Sequence, residues 1–280
     1  MQIRTMLMGL GLVVPLAAGC STTVTGEAVP AVVTTSAPVA ANDSVDPPSS
    51  TPTAPVDSPY VYGGVTPPTP VPGLMTGAGP TGTWTALLGG LAPGVSIGQA
   101  TPSGRAFSRC TVGLLAKRGA ERFAITAGHC AEPASTHVAT VSYADAAVPR
   151  KAVPAGVYTE TAAAGADVAV IRLAASAEVA SGQVGGTYRI AEIADAGKLR
   201  PGMQLCKVGS TTALTCGPIA SVGTRTLTAR VVGEPGDSGS LGFVKRADGT
   251  VGAVGIMSTS TGVFYLLRPA LHDLGLTVIS

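Results

Sequence analysis

Short apolar runs separated by turn residues fill the chain from about Trp84 onward. In "FAITAGHC", residues 123–130, Phe123, Ile125 and Ala127 alternate with small or polar residues. This period of two is typical of a β-strand with one buried face. Similar runs recur as "HVATVSYAD", "DVAVIRL", "MQLCKVG", "RTLTARVVG", "VGAVGIMS" and "VFYLLRP". The pattern therefore predicts a region built from many short strands.

The spacing of these runs predicts an all-β sandwich or barrel. Gly, Pro and Asp residues interrupt the runs at short intervals, and no long amphipathic pattern lies between them. One short helix is predicted near the C-terminus, in "RPALHDLGL", where Gly275 would end it. The roughly 195 residues of this region are enough to enclose a well-buried core.

Residues 20–83 have a different composition, and we expect them to form a disordered tether. Twelve of the 22 prolines lie within residues 21–83, among many Ser, Thr and Ala residues, and no helical or strand period persists there. Such a segment buries too little apolar surface to offset the entropy of ordering it. The alternative, a pro-region that helps the following domain to fold, needs amphipathic helices that the sequence lacks. The folded domain is therefore predicted to span residues 84–280.

The first nineteen residues are predicted to be a signal peptide. Arg4 precedes an apolar stretch from Met6 to Ala18, which is too short for a membrane-spanning helix. The ending "LAAGC" resembles the bacterial lipobox, in which the cysteine, here Cys20, becomes the lipid-bearing first residue of the mature protein. The alternative is an ordinary secretory signal with an incidental cysteine. Both interpretations predict an exported protein, and the first adds a lipid anchor in a bacterial membrane.

The charge balance gives no reason to expect nucleic acid as a partner. Residues 84–280 carry 17 basic and 12 acidic side chains, and the basic ones form no cluster with stacking aromatic residues. We expect these charges to lie on a solvated surface.

Four cysteines remain beyond Cys20, and they are expected to form disulfides. Their number is even and they follow an export signal. Three connectivities are possible among Cys110, Cys130, Cys206 and Cys216. Zinc is the competing interpretation, but neither C-x-x-C nor H-x-x-x-H spacing occurs. We therefore expect no metal.

Three polar residues stand where nucleophilic catalysis would need them. "GEPGDSGSLGF", residues 233–243, places Ser238 in a glycine-rich turn, where the N–H groups of Gly236 and Ser238 can converge on a developing oxyanion. A serine hydroxyl needs a neighbouring base, and His129 is the candidate because its pKa suits proton transfer near neutral pH. The imidazole in turn needs an anionic partner, and Asp167 directly precedes an apolar strand.

Taken in order, T-A-G-H-C, D-V-A-V-I-R-L and G-D-S-G resemble the trypsin/chymotrypsin-like serine proteases. The closer resemblance is to the bacterial branch that contains the streptogrisins and alpha-lytic protease, and it spans about residues 95–280. "CKVGSTTALTCGPI" is similar to a disulfide-closed loop of that branch, and "SRCTVGLL" before "FAITAGHC" is similar to the strands that carry its first disulfide.

The resemblance implies two antiparallel six-stranded barrels, at about residues 95–185 and 186–280, with the active site between them. It implies a catalytic triad of His129, Asp167 and Ser238, with Ser258 supporting the aspartate. It also implies a substrate pocket beside "GIMSTSTG" and two local disulfides. The implied pocket residues are Met257, Thr259 and Ser260, and the implied disulfides are Cys110–Cys130 and Cys206–Cys216.

The turn that carries the nucleophile leads to one further expectation. Asp237 is expected to point inward, and a buried carboxylate needs a cation or several N–H donors. Bacterial relatives usually supply an arginine at the position of Lys207. We expect Lys207 to pair with Asp237, the alternative being a solvent-facing lysine and a carboxylate that backbone amides satisfy.

The resemblance implies a serine endopeptidase that acts on peptides or proteins, with no cofactor, and we expect a monomer. Side chains at Thr259 and Ser260, where relatives have glycines, are expected to narrow the cleft. Small or medium apolar residues are then expected before the scissile bond, unless Arg230 points inward and favours acidic substrates. Two other functions stay open, an inactive protease-like lipoprotein that binds peptides or partners, and a surface adhesion or structural module.

Overall fold

The strand-rich region folds into two large sheets and a two-stranded hairpin in the computed structural model. The predicted signal peptide 1–19 and Cys20 lie outside the described residues, as does most of the predicted tether. Among the described residues, no helix is both long enough and apolar enough to cross a membrane. The structure describes residues 58–61, 71, 73–79, 82–100, 107–131, 140–147, 152–161 and 165–279.

The first nine strands form the hairpin and most of the first large sheet. The hairpin consists of β1 (Met75–Gly79) and β2 (Gly82–Ala86), which pair antiparallel. The strands of the sheet are β3 (Ser96–Ala100), β4 (Phe107–Thr111), β5 (Leu114–Arg118), β6 (Glu121–Thr126), β7 (Thr140–Ala144), β8 (Ala152–Thr161) and β9 (Ala169–Leu173).

The rest of the chain forms the second large sheet and the C-terminal helix. Its elements are β10 (Ile190–Ile193), β11 (Gln204–Gly209), β12 (Ala213–Val222), β13 (Thr226–Ala229), β14 (Leu241–Lys245), β15 (Val251–Thr259), β16 (Val263–Leu266), α1 (Leu267–Leu274) and β17 (Thr277–Val278).

The two large sheets differ in closure. The second runs in the order β10-β15-β14-β11-β12-β13-β16, and an additional pairing of β15 with β16 closes six of its strands into a barrel. The first runs β17-β5-β6-β9-β8-β7-β3-β4 and is a half-barrel, because within the described residues its end strands do not pair with each other. The predicted all-β class is therefore confirmed, with one closed barrel and one open sheet.

Strand β6 carries the alternating pattern predicted from the sequence, yet both of its faces are covered. Phe123 and Ile125 are buried as expected, and so are Ala124 and Thr126. The end of the strand is covered because Gly239 packs directly on the Thr126 hydroxyl. A turn of the second barrel therefore lies against the end of β6, which brings the two sheets together at this point.

The folded part of the chain begins upstream of the predicted boundary at Trp84. Tyr60 and Val71 are each only 4% exposed, and β1 begins at Met75. The Tyr60 residue forms a β-bridge with Arg246, and the Val61 N–H donates to the Lys245 carbonyl over 2.9 Å. These apolar residues are isolated within a Pro- and Thr-rich tract, so the composition of the tract conceals them.

The C-terminus also departs from the predicted division into two consecutive barrels. Helix α1 forms where the sequence predicts it and ends at Gly275, whose φ of 61° lies in the left-handed region. Strand β17 then returns to the first sheet and pairs with β5. The last residues of the chain therefore belong to the first sheet rather than to the second barrel.

Candidate active site

His129 lies in a short turn directly after β6. The turn is a single 3₁₀ turn, Gly128–Cys130, and the Cys110–Cys130 disulfide joins it to β4. A Cβ on Gly128 would lie 2.7 Å from an oxygen of Asp167, so glycine allows the carboxylate to come close. The His129 backbone N–H donates to Asp167 Oδ1 over 2.7 Å. Strand end, disulfide and carboxylate together fix the position of the imidazole.

Asp167 precedes β9, which pairs directly with β6. Because Thr126 is opposite Ala169 in this pairing, the residue after one strand and the residue before the other lie together. Asp167 Oδ2 lies 2.7 Å from His129 Nδ1 and accepts a hydrogen bond of 2.6 Å from Ser258 Oγ. Ser258 belongs to β15, so the carboxylate is held from both sheets.

Ser238 lies on the opposite side of the imidazole from Asp167. Its Oγ is 2.9 Å from His129 Nε2. The turn that carries Ser238 is also bonded to the first sheet, since the Thr111 N–H of β4 donates to the Ser238 carbonyl over 2.8 Å. The neighbouring Gly236 and Gly239 have φ values of 105° and 90°, which side chains rarely adopt.

The charges of Asp167 and His129 favour proton transfer from the Ser238 hydroxyl to the imidazole. The hydrogen bond with Asp167 raises the pKa of His129 above its ordinary value, although partial burial acts in the opposite direction. Burial tends to raise the pKa of Asp167, but hydrogen bonds from His129 and Ser258 outweigh it and the pKa lies below its ordinary value. With the carboxylate ionised, Nδ1 carries the proton, and the Nε2 lone pair faces the serine hydroxyl.

The backbone N–H groups of Gly236 and Ser238 make no hydrogen bond within the described part of the chain. The neighbouring N–H groups do have partners: that of Asp237 donates to the Glu234 carbonyl, and that of Gly239 donates to the Met257 carbonyl. Two donors on either side of Asp237 are therefore left for a ligand beside the serine.

Asp237 and Lys207 form a buried ion pair between the Ser238 turn and β11. Both side chains are at most 1% exposed, and Lys207 Nζ lies 3.0 Å from Asp237 Oδ2. The carboxylate also accepts from the N–H groups of Thr211 and Thr212, from the Thr212 hydroxyl and from the Glu234 N–H. Lysine and backbone amides thus act together on the carboxylate and are not alternatives.

Opposing effects set the pKa values of this pair. Burial tends to raise the pKa of Asp237, but Lys207 and the hydroxyl and amide donors outweigh it, so the pKa lies below its ordinary value. Burial lowers the pKa of Lys207, and Asp237 offsets part of that effect. The carboxylate is therefore ionised at neutral pH.

The predicted pocket residues lie along the end of β15 and the turn after it. Met257 is 1% exposed, and its methyl group lies against Gly233. A Cβ on Gly233 would also lie 3.3 Å from Ser260 Cα. The backbone at Gly233 and the backbone at Ser260, which form the two walls of the predicted pocket, are therefore close together. Thr259 and Ser260 are exposed, and the Gly262 N–H donates to the Thr259 carbonyl over 3.0 Å, which makes the turn tight.

Within the described residues, Arg230 makes no hydrogen bond or ion pair with these pocket residues. Its side chain is exposed, and its carbonyl packs on Gly217 of β12.

The described cysteines all lie in disulfides. Cys110 is joined to Cys130, and Cys206 to Cys216, which is its direct partner in the β11–β12 pairing. In the described part of the chain, one group could bring three metal-ligand atoms within 4.8 Å of one another, namely Cys110, His129 and Cys130. Both sulfurs of that group are in a disulfide, so neither is available as a thiolate ligand.

Several side chains around the Ser238 turn were missed by sequence reasoning. Arg109 and Thr111 reach it from β4, and Ser210 and Thr211 reach it from the turn after β11. The "GSTT" motif marked the second pair as part of a disulfide-closed loop but did not indicate what the hydroxyls bind. No sequence signal links β4 to a turn more than a hundred residues away.

No protein-family model matches the chain, and no curated protein matches it. Among solved structures, protease A of Thermobifida fusca is 20% identical, with a TM-score of 0.50, over 68% of this chain and 100% of its own. A glutamic acid-specific serine protease, which uses a histidine triad in substrate binding, is 23% identical, with the same TM-score and the same coverage. These likenesses show that the chain has the chymotrypsin-like serine protease fold.

Proposed function

We propose that the protein is a serine endopeptidase that hydrolyses peptide bonds through an acyl-enzyme. The observation that carries the proposal is the continuous contact from Asp167 through His129 to Ser238, with distances of 2.7 Å and 2.9 Å. A serine hydroxyl is a weak nucleophile unless a base accepts its proton, and this arrangement supplies the base together with an anion behind it. The chymotrypsin-like fold agrees with this function.

In the proposed reaction, Ser238 Oγ attacks the carbonyl carbon of the scissile peptide bond. The serine proton passes to His129 Nε2, and Asp167 stabilises the resulting imidazolium. The imidazolium then protonates the leaving amine, the C–N bond breaks, and an acyl-serine remains. A water molecule, activated by the same imidazole, hydrolyses the acyl-serine and restores the free hydroxyl.

The N–H groups of Gly236 and Ser238 are proposed to stabilise the tetrahedral intermediates. Negative charge develops on the carbonyl oxygen during both attacks, and fixed donors act on it without reorganisation. In support, these two N–H groups lack a partner in the described part of the chain.

The proposed substrates carry a small or medium apolar residue, such as Ala, Val or Leu, before the scissile bond. Met257 forms the apolar floor of the proposed pocket, and the approach of Gly233 to Ser260 makes the pocket narrow. Arg230 is exposed and makes no hydrogen bond or ion pair with these residues in the described structure, so it gives no support for acidic substrates.

We also propose that the protein is exported and tethered at the cell surface. The signal peptide 1–19, lipidation at Cys20 and the tether rest on the sequence alone. Two disulfides favour an oxidising compartment, because cytosolic reductants keep thiols reduced.

Casein cleavage by the Ser238→Ala protein tests the proposed function. We expect the rate to fall by at least about 10³-fold, because the nucleophile is lost, while the melting temperature changes little. Ser221→Ala, which removes an exposed hydroxyl on β12, is the matched control and should leave cleavage unchanged. Casein cleavage by Ser238→Ala at the original rate would show that the assignment is wrong.

A further inference from the structure

The carbonyl group of Pro235 is held by two side chains from outside its own turn. Thr211 Oγ1 donates to it over 2.6 Å, and Arg109 Nη2 donates to it over 3.1 Å. Arg109 Nη2 also donates to Thr211 Oγ1 over 3.0 Å, so the three groups form a closed triangle. One side chain comes from β4 of the first sheet and the other from the turn after β11 of the second barrel.

The orientation of this carbonyl determines where the Gly236 N–H points. A peptide unit is planar and trans, so its C=O and N–H point in opposite directions. Drawing the Pro235 oxygen toward Arg109 and Thr211 therefore turns the Gly236 N–H to the other side, away from both residues. That N–H is one of the two donors without a partner in the described part of the chain.

The second donor is held by its own turn and not by another element. The Ser238 N–H belongs to the Asp237–Ser238 peptide, and the Asp237 carbonyl accepts from both the backbone N–H and the hydroxyl of Ser240 within the same turn. In the described structure, by contrast, no backbone N–H reaches the Pro235 carbonyl. Gly236, moreover, has a φ of 105°, and glycine visits many backbone conformations, so side-chain contacts are needed to select one.

The packing around Gly236 supports the same role. A Cβ at this position would collide with the Arg109 guanidinium and with the Thr211 hydroxyl. The next carbonyl, that of Gly236, is held separately by the hydroxyls of Thr111 and Ser210, over 2.8 Å and 2.6 Å. The carbonyl of this turn to which the Arg109 and Thr211 side chains donate is therefore that of the Pro235–Gly236 peptide.

We propose that Arg109 and Thr211 are positioning residues that orient the Pro235–Gly236 peptide so that its N–H faces the oxyanion. The proposal rests on the proposed hydrolytic function and names two further residues on which it depends. Neither side chain touches the reacting atoms. Their effect is on the transition state, in which the carbonyl oxygen carries a full charge, more than on substrate binding.

The test compares Thr211→Val, Thr211→Ser and Arg109→Met in the full chain, with a peptide anilide that carries alanine before the scissile bond. Thr211→Val removes the hydroxyl at nearly constant shape, whereas Thr211→Ser keeps it. Thr277→Val and Arg122→Met are the controls, because they remove side-chain hydrogen bonds to carbonyls outside the site, one in the case of Thr277 and three in the case of Arg122. If Arg109→Met does not fold, Arg109→Gln replaces it.

We expect Thr211→Val and Arg109→Met each to lower kcat by roughly 10- to 100-fold with little change in KM, since losing a whole oxyanion donor costs about 10²–10³-fold. The affinity for a peptide aldehyde, which forms a tetrahedral adduct, should fall by a similar factor. The acidic limb of the pH profile should stay in place because His129 is untouched. Thr211→Ser and both controls should keep wild-type kcat.

Two results would overturn the proposal. One is a kcat within twofold of wild type in both variants, and the other is a loss of activity that follows only a lowered melting temperature. An inactive wild-type protein would instead overturn the proposed function, and this inference with it. An active wild type with unaffected variants overturns the positioning role alone.

Discussion

Lys207 lies at the position where the resemblance to bacterial serine proteases implies an arginine. The Lys207 ammonium donates to Asp237 and to the Thr212 hydroxyl, and that hydroxyl donates in turn to Asp237. Lysine and threonine together thus give the carboxylate two donors, as the two-pronged guanidinium of an arginine would. The threonine is the second residue of the "TT" pair in the "GSTT" motif. The ion pair joins Lys207 of β11 to Asp237 of the Ser238 turn, and so connects the stability of the barrel with the shape of the candidate active site.

We expect Lys207→Met to destabilise the protein by about 3–5 kcal/mol, because it leaves a buried carboxylate without its cation. Casein cleavage should fall as well, since the Ser238 turn loses support. Chemical denaturation measures the first effect, with exposed Lys198→Met as the control. Because the pKa of Asp237 is lowered by folding, its stabilisation is present above about pH 4 and is lost as the pH falls further. A Lys207→Met protein with normal stability and activity would show that the pair is dispensable.

The pH dependence of hydrolysis follows from the charge of His129. The base must be neutral to accept the serine proton, so kcat/KM should fall as the pH is lowered through the pKa of His129. Since Asp167 raises that pKa, the midpoint should lie above the ordinary histidine value of about 6.5. A pH profile of peptide hydrolysis measures it. A midpoint clearly below 6.5 would show that another group controls the rate.

At the level of elements, the last three residues of strand β15 all contact the candidate active site. Met257 faces Gly233, Ser258 holds Asp167, and Thr259 begins the tight turn to β16. One strand thus contributes to both the proposed pocket and the proposed triad.

Met257→Ala is expected to widen the pocket and to shift preference toward larger apolar residues, such as Phe, before the scissile bond. The reason is that the methionine methyl group lies against Gly233, where it limits the space between the two walls. The readout is kcat/KM for peptide anilides with Ala and with Phe at that position, and their ratio should change by about 10-fold or more. An unchanged ratio would place the pocket elsewhere, and a wild-type preference for Lys or Arg would contradict the apolar pocket itself.

The strands, and the three residues that the structure brings together as the candidate triad, could be predicted from the sequence because each has a local signal. Phe123 and Ile125 show the strand period, and His129, Asp167 and Ser238 lie in short motifs with a known order. Arg109, Thr111 and Ser210 could not be predicted in the same way. Their partners in the Ser238 turn lie between 26 and 126 residues away, so only the tertiary fold brings them together.

At the level of the whole molecule, the folded unit extends beyond the boundary that composition indicates. Tyr60 packs in the core of the second barrel, and its hydroxyl donates to Glu192 over 3.1 Å. Burial and Glu192 raise the pKa of Tyr60 to about 12, so the phenol stays neutral. The short run Tyr60-Val61-Tyr62 in a Pro-rich tract is too brief to show a periodic signal, which is why the sequence did not predict this contact.

We expect Tyr60→Ala to destabilise the protein by about 3–5 kcal/mol, because a large buried side chain is lost. Tyr60→Phe should cost only about 1 kcal/mol, since it removes one hydrogen bond and keeps the packing. Thermal and denaturant unfolding of the two variants measure the difference. If Tyr60→Ala unfolds like the wild type, the segment around Tyr60 belongs to the tether and not to the folded unit.

Reaction with a fluorophosphonate probe, followed by mass spectrometry of the labelled peptide, tests the central claim most directly. The probe forms a covalent bond only with a serine that a neighbouring base activates. The proposed function predicts rapid labelling of Ser238 and of no other serine, with labelling abolished by heat denaturation. An absence of labelling at Ser238 in the folded protein would contradict a hydrolytic function and favour a protease-like binding protein.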